Sequence, residues 1–117
     1  MADLRKKMDL SWLAAFYGGM LTEKQLEVLT LHCDEDLSFG EIAEEVGISR
    51  QAVHETLNRA EARLEEMEQT LGVARRFRRM EEGLEQAIEL IDQKEYLKAR
   101  ETLKTLLSLD REDDNGL

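Results

Sequence analysis

A chain of 117 residues, 36% charged, 5% aromatic and without proline, suits one helical domain, or one with an appended helical piece, packed through aliphatic stripes. Its net charge of −10 disfavours broad, non-specific binding to DNA, because the summed field repels a polyanion. The longest apolar stretch, Leu13 to Tyr17, is far too short to cross a bilayer, no basic-then-apolar leader opens the sequence, and the single Cys33 can form no internal disulfide, so a cytoplasmic protein is expected.

The first helix is expected from about Asp3 to Tyr17, with Leu4, Met8, Leu10, Leu13, Phe16 and Tyr17 as its apolar supply and Gly18 and Gly19 as its stop. A second is expected from Glu23 to about Cys33, presenting Leu26, Val28 and Leu29, with Thr22 and Gln25 spaced for a capping box. His32 beside Cys33 proposes no metal site: neighbours on a helix point in different directions and the chain has one other histidine, so packing is the role assigned to both.

After the acidic loop Asp34 to Asp36, the stretch from Phe39 to Arg63 has the punctuation of a helix-turn-helix. Ser38 and Glu41 form a second capping-box pair, and Ile42 and Ala43 supply the buried side of the helix that follows. Gly47 breaks it with a left-handed turn, Ile48 plugs the gap, and Ser49 caps the next helix. Each cap also has a staple pair across it: Leu21 with Leu26, Leu37 with Ile42, Ile48 with Val53. Along the Ser49 helix Val53, Leu57, Ala60 and Leu64 recur at four, three and four residues, so they face the core while Arg50, Gln51, His54 and Asn58 share the outer face. That outer face is the one that enters a groove when such a helix reads nucleic acid.

The recognition helix outgrows its unit, continuing through Leu64, Met67 and Leu71 to Gly72, about 22 residues or about 33 Å. A returning helix from Val73 to Ile91 is expected to bury Met80, Leu84, Ala87, Ile88 and Ile91. After the turn Asp92 to Lys94, a last helix from Glu95 to Leu109 offers Tyr96, Ala99, Leu103, Leu106 and Leu107. The expected organisation is therefore a head over 1–72, a helical hairpin over 73–109 that packs on it or forms a dimer contact, and a disordered acidic tail over 110–117. Apolar supply at Leu64, Met67, Leu71, Met80 and Leu84 beyond what the head can bury points to a homodimer.

Charge is uneven along the chain. Residues 1–46 carry four basic and ten acidic groups and residues 81–117 five and eleven, whereas residues 70–80 hold Arg75, Arg76, Arg78 and Arg79 with no acid. This cluster is the one strongly basic stretch; it can contact phosphates, or simply pair with Glu81, Glu82 and Glu85 along its helix, and Phe77 within it can stack or anchor. No glycine-rich phosphate loop, metal-ligand cluster or nucleophile–base set occurs, so neither catalysis nor a cofactor is expected.

From Phe16 through Phe77 the chain resembles the YlxM family, whose helix-turn-helix is similar to region four of sigma factors. The matching residues are Phe16-Tyr17, Leu21-Thr22, Lys24-Gln25, Asp36, Ser38, Glu41 to Glu45, Ser49 to Val53, Arg59, Glu61, Leu64 and Glu65. The chain beyond Glu82 is read as running past the family's usual end. The resemblance implies an all-α, sigma-region-four-like head and a non-enzymatic accessory role in the bacterial signal recognition particle, through contact with its RNA, its GTPase or both. The residues assigned to nucleic acid are Ser49, Arg50, Gln51, His54, Asn58 and Arg59, with Arg75, Arg76, Arg78 and Arg79. The alternatives are a sequence-specific DNA regulator placing Arg50 and Gln51 on base edges, and an interaction module that keeps the helix-turn-helix as scaffold.

Overall fold

The computed structural model describes residues 2–115, with side chains from Leu4 to Leu109. They form α1 (Ala2–Tyr17), a 3-10 turn (Gly18–Met20), α2 (Glu23–Cys33), α3 (Phe39–Val46), α4 (Arg50–Leu71), α5 (Val73–Asp92) and α6 (Tyr96–Asn115), with no strand among the described residues. The chain is all-α, and divides after Ala74 into two compact units.

In the first unit the caps operate as spaced. Thr22 Oγ1 accepts from the Gln25 N–H at 3.1 Å while the Gln25 side chain accepts from the Thr22 N–H at 3.0 Å. Ser38 and Glu41 repeat the box before α3, and those hydrogen bonds hold the Glu41 carboxyl below the usual carboxylate range. Gly47 ends α3 at φ 79°, a backbone that only glycine adopts without strain, and Ser49 Oγ accepts from the Ala52 N–H to start α4. The five largest fully buried side chains are Val28 and Leu29 of α2, Ile42 of α3 and Val53 and Leu64 of α4. Burial of each contributes about 1.5–3 kcal/mol. The whole α4 stripe from Val53 to Leu64 is buried, extended by Met67, while Leu37 and Ile48 pack half-buried against it. From α1 the core takes Leu10 and Tyr17; Leu4 and Met8, expected to serve it, are exposed.

Gly72, left-handed at φ 63°, ends α4. The first two amides of α5 then meet side chains instead of water. The Val73 N–H donates to the Tyr17 hydroxyl at 3.0 Å, the Ala74 N–H donates to Glu68 Oε1 at 3.1 Å, and the Tyr17 hydroxyl donates to that same Glu68 oxygen at 2.6 Å. Two of the donors left over at any helix start are satisfied in this way.

In the second unit α5 and α6 form an antiparallel hairpin turned by Gln93–Glu95, with Lys94 left-handed at φ 63° and the Glu95 N–H returning to the Leu90 carbonyl at 2.8 Å. Its buried face is only part of the expected one: Ala87, Ala99 and Leu106 are buried as expected, the rest of the stripe is not. Gly83 is buried with them, whereas Leu84, Ile88 and Ile91 on α5 and Tyr96, Leu103 and Leu107 on α6 are exposed. The Leu106 side chain covers Gly83 so closely that a methyl group there would clash with its Cδ1 and Cδ2. The missing side chain at Gly83 makes room for Leu106, so that flank of α5 is the one that packs. The end of α6 also differs: the helix continues past Leu109 to Asn115, through most of the stretch expected to be a disordered tail, whose last residues, 116–117, lie outside the described ones.

Candidate nucleic-acid interface

The face of α4 that points away from the core is built by the same periodicity that buries Val53 and Leu64. Arg50, Gln51, His54 and Asn58 are all exposed, as the spacing requires. Their settings differ. The Arg50 guanidinium folds back over the first turn of α3, close enough that a methyl group on Gly40 would stand 2.8 Å from its Nη2. Gln51 Nε2 donates to Glu55 Oε1 at 3.4 Å, a loose contact along the helix. Ser49 Oγ is committed as the acceptor of its capping bond from the Ala52 N–H.

His54 and Asn58 edge a cleft of about 320 Å³ that no single helix contains. Its far rim is Lys6 and Lys7 of α1, and its floor is Leu10 and Leu57. One wall is a row of rings: Phe39 lies between His32 and His54 at 5.3 Å and 5.4 Å, tilted by 49° and 58°. These separations fall within the usual range for aromatic pairs. Across the cleft Lys6 Nζ meets Glu61 Oε1 at 3.0 Å. Lys7 pairs with Asp36, whose carboxyl it holds below the ordinary range.

The structure thus brings together Arg50, Gln51, His54 and Asn58, but not every residue assigned to the site. Arg59 is exposed about 80° around α4 from Gln51 and, like Arg50 and Gln51, does not line the cleft. Arg75, Arg78 and Arg79 are exposed and Arg76 half-buried, all four in the second unit. Sequence reasoning missed Lys6, Lys7, His32 and Phe39. The run Arg5-Lys6-Lys7 was the available signal, since it holds three of the four basic groups in residues 1–46.

A tri-helical core with a capped α3, a glycine turn and a long α4 whose outer face is polar defines a helix-turn-helix protein. The chain belongs to the YlxM/p13-like helix-turn-helix family, UPF0122, whose model matches residues 4–106. It is 40% identical over 107 residues to a UPF0122 protein of Halalkalibacterium halodurans, covering 88% of this chain and 98% of that one. A UPF0122 protein of Desulforamulus reducens is 42% identical over 95 residues, 81% of each chain. One of Bacillus cereus is 38% identical over 94 residues, 80% of this chain and 86% of its own. The likeness therefore runs well beyond Glu82 and takes in both units, correcting the expectation that the hairpin lies past the family's end. Membership of a helix-turn-helix family supports a nucleic-acid-binding role. No helix among the described residues is long and apolar enough to cross a membrane, and no group of three potential metal ligands occurs among them.

Proposed function

We propose that the protein is a non-enzymatic accessory factor of the bacterial signal recognition particle, working in the cytoplasm and engaging the particle's RNA through the outer face of α4. The observation that carries this reading is the exposed set Arg50, Gln51, His54 and Asn58 beside a cleft edged by Lys6 and Lys7. The charge balance favours a local RNA feature over duplex DNA. Residues 1–74 hold seven basic against fifteen acidic groups, so a long phosphate track would run across repulsive surface. The cluster Arg75 to Arg79 supplies further phosphate contacts, and the particle's GTPase is the protein partner that the family resemblance implies.

The test is a filter-binding comparison of particle RNA with random duplex DNA at matched salt. Tighter binding to the RNA supports the reading; equal or tighter binding to DNA replaces it with that of a DNA regulator, which Arg50 and Gln51 in the first turn of α4 would suit. Changing Arg75, Arg76, Arg78 and Arg79 together to glutamine should weaken RNA binding and flatten its salt dependence.

The hairpin supports a homodimer as the working state, because Leu84, Ile88, Ile91, Leu97 and Leu107 leave apolar surface in solvent, Leu97 to 80%. Light scattering at tens of micromolar should give twice 13.5 kDa, and a soluble monomer would refute the dimer.

A further inference from the structure

The cleft between α1 and α4 has a composition that the general role above does not explain. Its volume of about 320 Å³ is at the low end for small-molecule sites, room for one planar ring system. Its wall is aromatic, with Phe39 and His54 at 5.4 Å, and its floor is aliphatic. Its mouth sets an ammonium beside a carboxylate, Lys6 and Glu61, 3.0 Å apart, and Asn58 also lines the cleft. An aromatic wall closed by a donor next to an acceptor is the complement of a nucleobase, which has a stacking face and a hydrogen-bonding edge.

We propose that this cleft takes one unstacked guanine base from a bulge or loop of RNA. The base stacks on His54 and presents its Watson–Crick edge to Glu61 and Lys6. Guanine is the base whose edge offers two adjacent donors, N1–H and N2–H₂, to a carboxylate, with O6 beside them to accept from an ammonium. A base inside a duplex cannot reach such a cleft, and one already unpaired pays least to leave its stack. The inference rests on the reading that α4 faces RNA and names what that face selects.

The experiment uses the full chain and two RNA hairpins that differ by a single bulged guanosine, with fluorescence anisotropy at one salt concentration. The bulged hairpin should bind about tenfold tighter, equivalent to about 1.4 kcal/mol. His54→Ala, a change on an exposed helical face, should bring the two hairpins to parity, and His54→Phe should keep the difference. Glu61→Gln should erase the preference for a bulged guanosine over a bulged adenosine. Equal affinity for the two hairpins in the unaltered protein, including no binding to either, overturns the inference, as does a preference that survives His54→Ala or Glu61→Gln. Particle RNA is measured alongside. Binding of it without any bulge preference removes the base site and spares the accessory role, whereas a bulge preference without particle binding does the reverse.

Discussion

Removing the Tyr17 hydroxyl, Tyr17→Phe, should destabilise the first unit by about 2–3 kcal/mol. Tyr17 is 3% exposed, and its oxygen stands between a carboxylate and an amide. The bond to Glu68 at 2.6 Å is charge-assisted, a class worth about 1.5–3 kcal/mol. The Val73 N–H also loses its acceptor at a helix start, where no carbonyl of the same helix replaces it. The phenylalanine ring keeps the packing, which isolates the polar contribution. For a domain of this size 1 kcal/mol corresponds to about 4–8 °C, so the melting temperature at pH 7 should fall by about 10–20 °C in a circular-dichroism melt. Burial first, and the Glu68 carboxylate second, raise the Tyr17 phenol above its ordinary value of 10.0. A raised value means that the fold prefers the neutral phenol. Its contribution is complete below the unfolded value and lost as pH rises through the folded one, so the gap between the two proteins should narrow above about pH 10. A gap below about 0.5 kcal/mol at pH 7, or one that widens with alkali, would refute the assignment of this network.

Val53→Asp should abolish cooperative melting, because Val53 is fully buried and an unpaired carboxylate there costs several kcal/mol of a total of about 5–15. Gln51→Ala, which loses one exposed bond of 3.4 Å, should move stability by less than about 0.5 kcal/mol; equal effects from the two would mean that the faces of α4 are misassigned. Gly83→Val should loosen the hairpin, since even its Cβ would fall within 2.7 Å of three Leu106 atoms, and hydrogen exchange should quicken across α5 and α6 while α2 stays protected. Burial, then Asp34, pushes the Cys33 thiol from 9.0 up to about 11, so its thiolate fraction at pH 8 is about a hundredfold below that of an unperturbed thiol. Alkylation of the native protein should be slower in proportion, and a rate equal to that of the unfolded chain would contradict the placement.

Adjacent residues determined most of the head, and for that reason it was legible. A capping box needs two side chains three residues apart, a left-handed stop needs one glycine, and a buried stripe needs only helical period; Ser38 with Glu41, Gly47, and Val53 to Leu64 satisfy these rules within α3, α4 and their turn. The outer face of α4 followed by exclusion. Tertiary structure decided what stands beside that face. Lys6 reaches Glu61, and Tyr17 reaches Val73 across 56 positions, contacts that depend on how α1 crosses α4 and leave no periodic trace. It also divided the stripe that apolar period marks on the hairpin. Ala87, Ala99 and Leu106 are buried as their period requires, but Leu84, Ile88 and Ile91 stay in solvent, because Leu106 reaches across to the bare backbone of Gly83 and turns that flank of α5, not the larger residues, toward its partner helix.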